Sequence, residues 1–219
     1  MQFVSTLLGF LGFAALALGL PATDNSETAG ADPAVTVKLP YPVEPFTFNG
    51  TIDGHEVYLV GSIDEQLEHM EKTYPDFDRN NFQAVRADIP ETKHETRSVN
   101  NKVGMGQCCD EPQMQSHGWN YVSSVDISFA AAQLAGYEGG CPVQPHRCVF
   151  FTRSGRAGIH LCNDNTYFIS PSCKYLSSYA VDIRDHCGKG FATSNGLEAR
   201  SCGQQFDTDG YNVVVVYEI

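Results

Sequence analysis

The sequence predicts an α+β protein: a disulfide-stapled C-terminal domain over residues 107–219, preceded by a small strand-strand-helix extension. Three observations carry this prediction. All eight cysteines lie between Cys108 and Cys202, and none occurs in the preceding half. An even number of cysteines crowded into one segment is the pattern of a disulfide framework. It is not the pattern of a zinc site, because no Cys-x-x-Cys pair is followed by a second such pair or by His-x-x-x-His. Strand and helix periodicities alternate through both halves. The chain also opens on an apolar run without a charge from Met1 to Leu20, which places it on the oxidising export route that bridges require.

That opening run is read as a signal peptide over residues 1–19. It is too short, and followed too soon by Pro21, to serve as a stop-transfer helix, which needs roughly 20 apolar residues. Ala17 and Gly19 are the small residues a signal peptidase reads, with cleavage after Ala22 as the alternative. Residues 20–106 form an N-terminal extension or propeptide. Its first part, to Pro45, is rich in Pro, Ala, Asp, Thr and Ser and has little to bury. Phe46-Thr47-Phe48 and Val57-Tyr58-Leu59-Val60 then read as strands joined at Asp53-Gly54. Asn49-Gly50-Thr51 is an N-glycosylation sequon, so Asn49 is a candidate glycan site. Ser62 and Glu65 make a capping box, and Ile63, Leu67, Met70 and Tyr74 recur at helical spacing until Pro75. The polar stretch from Asp88 to Val103 reads as an exposed linker, with Arg97 the residue to watch for maturation cleavage. Such an extension is too small to be stable alone, so it packs on the cysteine-rich domain or is discarded.

In the C-terminal half, Ser124 is placed to cap a helix over about Val125–Leu134, with Ile127, Ala131 and Leu134 on one face. Cys148–Thr152 and Ala157–Cys162 pair as strands around Ser154-Gly155. A second helix follows, with Ser170 as cap, Pro171 in its first position, and Leu176, Tyr179, Ala180 and Ile183 as its apolar stripe. Tyr211–Tyr217 is a β-branched run after the Asp209-Gly210 turn, and its four valines mark a central strand. Helix geometry restricts the bridges among Cys108, Cys109, Cys141, Cys148, Cys162, Cys173, Cys187 and Cys202. Cys173 and Cys187 bracket a helix, so at about 1.5 Å per residue they stand roughly 21 Å apart, against about 5.5 Å for bridged Cα atoms. Adjacent Cys108 and Cys109 must reach different partners. Cys141 with Cys148 and Cys187 with Cys202 are the expected local pairs.

The segments Gly158-Ile159-His160-Leu161-Cys162-Asn163-Asp164-Asn165, Ile169-Ser170-Pro171-Ser172-Cys173, Asp185-His186-Cys187, Gly203-Gln204-Gln205-Phe206 and Tyr211-Asn212-Val213-Val214-Val215 resemble small secreted cysteine-rich proteins of filamentous fungi. These belong to the killer-toxin-like and necrosis-inducing effector group, and the resemblance covers roughly Trp119 to Ile219. It implies a sandwich of an antiparallel sheet with two helices on one face, closed by disulfides. It also implies a toxin or effector; some killer-type relatives act on ion channels through exposed basic residues, which here would be Lys174, Arg184 or Lys189.

Charge narrows the partners. The formal net charge is −12 and no Lys or Arg run occurs, which argues against nucleic acid and anionic membrane surfaces. No membrane span is expected in the mature chain. The expected partner is a protein or cell-surface target. No residue is assigned a catalytic, cofactor-binding or metal-binding role. His146, His160 and His186 have Asp164, Asp182 and Asp185 near in sequence, the raw material of general acid-base chemistry. However, each sits where a structural role is expected. Asn163-Asp164-Asn165 and Asp207-Thr208-Asp209-Gly210 lack the full spacing of a calcium loop and read as turns. Trp119, Tyr121 and Tyr137 are candidates for a sugar- or protein-binding platform. The expectation is a secreted toxin or effector that binds a target on competing or host cells. The alternatives are a hydrolase of cell-wall polymer and a non-toxic wall-associated protein.

Overall fold

The computed structural model describes residues 37–88 and 101–219. The expected signal peptide, and Lys93 and Arg97 of the expected linker, lie outside the described residues. The first described elements are β1 (Val43–Pro45), β2 (Thr47–Ile52), β3 (His55–Val60) and α1 (Ile63–Thr73). Asp53 and Gly54 both have positive φ, 48° and 81°, the backbone that a two-residue type I′ hairpin turn demands. The capping box forms as expected, with Glu65 Oε2 accepting from the Ser62 backbone N–H at 2.7 Å. Helix α1 buries Ile63, Leu67 and Met70 and ends at Tyr74, ahead of Pro75.

There follow β4 (Ala84–Arg86), β5 (Lys102–Cys108), the single turn α2 (Pro112–Gln115), β6 (Val122–Ser123), α3 (Ser124–Ala135) and β7 (Tyr137–Glu138). The chain continues through β8 (Cys148–Ser154), β9 (Ala157–Asn163), α4 (Cys173–His186), β10 (Lys189–Thr193), β11 (Gly196–Ser201), β12 (Gly203–Asp207) and β13 (Tyr211–Tyr217). The α+β class holds, with mostly antiparallel strands. Instead of one antiparallel sheet, the described residues make three: β1-β8-β9-β13-β12-β5, β3-β2-β4-β7 and β10-β11-β6. β1 joins the six-stranded sheet parallel to β8, and β4 runs parallel to β7.

Those two parallel pairings tie the extension to the cysteine-rich half. The described residues fall within one compact unit, and Phe46, Phe48, Ile52, Ile63, Leu67, Met70 and Ala84 share a core with α3, α4 and the sheet. Tyr137 is at the junction. Its ring lies 4.9 Å from Phe48 and 5.8 Å from Phe46, and its hydroxyl donates to Gln66 Oε1 at 3.0 Å. Each large apolar side chain sealed here contributes on the order of 1.5–3 kcal/mol by leaving water.

The valine run alternates between two covered faces. Val213 and Val215 join Ile159 and Leu161 against Ile127 and Leu134 of α3 and Leu176 and Ile183 of α4. Val214 and Val216 point the other way, into a second core with Cys109, Met114, Trp119, Cys148, Cys162 and Cys202, over which Val37, Leu39 and Tyr41 pack. Burial on both faces is why the run lacks apolar-polar alternation.

Two helix starts differ from expectation. α3 begins one residue early, with Ser123 as N-cap. α4 is capped by Ser172, whose hydroxyl accepts from Tyr175 N–H at 3.4 Å, so Ser170 and Pro171 precede it. The cause is local: Pro171 O accepts from Cys141 N–H at 2.7 Å, and Ile169 exchanges backbone bonds with Val143. Those backbone groups are committed to the loop after β7 and cannot open a helix.

Four disulfides close the described fold: Cys108–Cys187, Cys109–Cys202, Cys141–Cys173 and Cys148–Cys162. Cys173 and Cys187 have separate partners, as do Cys108 and Cys109. The expected pairs Cys141–Cys148 and Cys187–Cys202 do not form. Antiparallel register sets Cys148 opposite Cys162, with Cα atoms 4.0 Å apart. Helix α4 carries Cys173 to Cys141 at one end and Cys187 to Cys108 at the other. The crossing at Cys187 is tight: a Cβ on Gly203 would stand 2.4 Å from Gln107 O and 3.2 Å from Cys187 Sγ, so only glycine fits there.

Candidate functional site

The chemistry-bearing residues singled out in the sequence fall at separate places. His160 is buried on β9, and its Nε2 lies 2.7 Å from Glu218 Oε1, with the Phe150 ring 4.9 Å away. Its carboxylate partner is thus near the C-terminus and not one of the nearby aspartates. Glu218 packs over Gly158, whose missing Cβ leaves the room: a Cβ there would meet Glu218 Cγ at 2.3 Å. His146 has a positive φ of 50° and faces Tyr41 at 5.3 Å between ring centres. His186 is exposed in the last turn of α4.

Asp182 pairs with Lys102, and Asp185 with Arg184 at 2.7 Å. Of the basic residues that the resemblance implicates, Arg184 is also held by Ser128, Lys189 is paired with Asp110 beside the Tyr121 ring, and Lys174 is exposed. The Asp110 carboxyl is held below the usual carboxylate range by Lys189. Both turn motifs are turns: Asn163 Oδ1 accepts from Asn165 N–H at 2.9 Å, and Asp207 Oδ1 from Asp209 N–H at 2.7 Å. Among the described residues, no group of three or more His, Cys, Asp or Glu side chains is gathered to hold a metal ion. No described helix is long and apolar enough to cross a membrane.

Asp207 also organises a buried polar knot that the sequence did not reveal. Its carboxylate accepts from the Tyr179 hydroxyl, whose oxygen lies 3.1 Å from the Tyr175 hydroxyl, and the Tyr211 hydroxyl joins it. Lys102 Nζ sits 4.4 Å from the centre of the Tyr179 ring. Burial first, and the Asp207 carboxylate after it, push the Tyr179 and Tyr211 hydroxyls well above the ordinary phenol range. The knot pins α4 to the β12-β13 turn.

Of the three platform aromatics, Tyr137 belongs to the core at 1 % exposure. Tyr121 is half-buried, its hydroxyl donating to Asp110 Oδ1 at 3.1 Å. Trp119 walls a cavity of about 410 Å³ on the second face of the six-stranded sheet, within the size range of ligand sites. Its indole N–H donates to Lys38 O at 3.0 Å, which fixes the ring beneath the segment Lys38-Leu39-Pro40. Phe206 of β12 and Asn212 of β13 are cross-strand partners and share the floor. Asp164 enters from the turn after β9, held because its backbone N–H donates to Gly210 O at 2.9 Å.

Two of the four bridges, Cys109–Cys202 and Cys148–Cys162, are buried in the same cluster as Trp119, so the cavity wall is bolted in place. Arranged this way, the site can hold a small polar ligand against an aromatic surface. Sequence reading found Trp119 and Asp164 but not their juxtaposition. Of the other lining residues, His117 neighbours Trp119, while Gln204, Phe206 and Asn212 fall in segments quoted for the resemblance, which gave them no binding role. Asn49 is exposed on β2, opposite Tyr58, on another sheet. In comparison with known proteins, no family model matches this chain, and no curated protein or solved structure matches it.

Proposed function

We propose that this protein is a secreted toxin or effector that acts by binding a target on competing or host cells. The observation that carries the reading is the Trp119 cavity, preformed by two buried bridges. A site whose walls are locked before binding loses little freedom when it is occupied. Four disulfides are typical of extracellular proteins, and the uncharged N-terminal run of the sequence supplies the export signal. A glycan at Asn49 would lie on the outer face of β2 and leave the cavity open.

The test is saturable binding of the labelled, oxidised protein to candidate fungal and plant cells, with growth and necrosis scored in parallel. Displacement by unlabelled protein, together with a growth or necrosis response, supports the reading. Non-saturable adsorption with no response on any cell type sinks it. A second reading, hydrolysis of cell-wall polymer, has one observation in its favour, the His160–Glu218 pair at 2.7 Å. It predicts that His160→Gln abolishes release of soluble sugar from wall preparations while leaving cell binding intact.

A further inference from the structure

The chemistry of the Trp119 cavity names a class of ligand. Asn212 is 1 % exposed, and its amide NH₂ donates to Asp164 Oδ2 at 3.2 Å. That bond fixes the orientation of the amide, because the reverse would set two oxygens against each other. Asn212 Oδ1 is then a buried acceptor without a hydrogen-bond partner among the described residues. Beside it stands the Asp164 carboxylate, also an acceptor. The two acceptors together call for a ligand that presents two neighbouring donors.

The remaining wall is mostly aromatic and apolar, with the exposed Lys38 and the amide of Gln204 also on it. His117, whose Nδ1 is likewise buried without a partner among the described residues, lies 5.6 Å from Trp119 between ring centres. Leu39, Pro40 and Phe206 complete the surface. At the Asn212–Asp164 end of the cavity the carboxylate, with the net charge of −12, disfavours phosphate, sulfate or a uronic acid.

A ligand with adjacent hydroxyls on one edge, an apolar C–H face and no negative charge meets all of these conditions. We propose that the cavity binds a neutral pyranose unit of a glycan. Vicinal hydroxyls donate to Asn212 Oδ1 and Asp164, and the C–H face of the ring packs against Leu39, Phe206 and the small exposed part of Trp119, which is 5 % exposed. The proposal deepens the binding function proposed above and depends on it only for its biological setting.

Trp119 is the sole tryptophan of the chain, so its emission reports on this cavity alone. The full oxidised chain is titrated with chitotriose, mannotriose and cellotriose, and with glucose 6-sulfate as the anionic control. The expected result is a saturable change in emission, and protection from acrylamide quenching, with at least one neutral trisaccharide and none with the sulfate. Asn212→Ala should weaken that binding at least tenfold with an unchanged near-UV circular dichroism spectrum.

Quenching protection of the wild-type chain decides the matter even where the variant fails to fold. No saturable response to any of the three neutral sugars overturns the proposal, as does equal affinity in a folded Asn212→Ala. Saturable cell binding without sugar binding rejects the glycan and leaves the proposed function standing. Sugar binding without cell binding does the reverse.

Discussion

The adjacent bridges Cys108–Cys187 and Cys109–Cys202 should stabilise the protein in a coupled way. Taken alone they would close loops with sequence separations of 79 and 93, worth about 4.5 kcal/mol each by the chain-entropy relation. They are nested, however. With one bridge present, the other closes only the path through the neighbouring peptide bond and the residues between Cys187 and Cys202, an effective loop of about 17 residues worth about 3 kcal/mol. With both removed, the Cys141–Cys173 bridge still shortens the path, and the first bridge restored closes a loop of about 50 to 60 residues, worth about 4 kcal/mol. Each double alanine variant should therefore lose about 3 kcal/mol and the quadruple variant about 7, a surplus of about 1 kcal/mol over additivity. Urea unfolding of the four proteins, followed by far-UV circular dichroism, measures this cycle. Losses of about 4.5 kcal/mol for each pair with no surplus would refute the nesting and mean that the bridges act as independent long loops.

Other expectations follow from the polar knot and the integrated extension. Asp207→Ala should cost about 3 kcal/mol in urea unfolding, because it removes the acceptor shared by the buried Tyr179 and Tyr211 hydroxyls and the Asp209 N–H; a loss under 1 kcal/mol would show that the knot is not buried as described. Burial holds the Tyr137, Tyr179 and Tyr211 hydroxyls well above the ordinary phenol range. Their neutral forms are favoured in the folded state, so their contribution is fully present below pH 10 and is lost as pH climbs beyond it. A phenolate absorbance titration should show these three ionising together with unfolding; independent reversible ionisation near pH 10 in the folded protein would contradict this. Nicking the chain at Arg97 should leave one species by gel filtration, because β1, α1 and β4 stay buried against the cysteine-rich half. The same sample should give two fragments on a non-reducing denaturing gel, since no cysteine precedes Cys108. Separation of the fragments under native conditions would favour the removable propeptide.

Local signals were legible where one residue pattern had one structural solution. The Asp53-Gly54 turn, the Ser62–Glu65 capping box, the stripe Leu176, Tyr179, Ala180 and Ile183, and the valine run of β13 all form where the sequence put them. What escaped depends on register and on distant segments meeting. Cys148 reads as a local partner of Cys141 until the β8-β9 pairing sets it opposite Cys162. Hairpin β10-β11 was missed because its strands are exposed on both faces and carry no alternation to detect. The Trp119 cavity was invisible because Lys38, His117, Asp164, Phe206 and Asn212 come from five separate stretches and only tertiary folding gathers them. The same holds for His160, whose partner Glu218 is 58 residues away.

The most direct test is the intact mass and non-reduced peptide map of the protein secreted on expression of residues 1–219. The expected result is a mature mass without residues 1–19, lower by eight hydrogens than that of the reduced chain. It also includes a glycan on Asn49 and cross-linked peptides joining Cys108 to Cys187, Cys109 to Cys202, Cys141 to Cys173 and Cys148 to Cys162. Retention of the chain inside the cell with eight free thiols would contradict it.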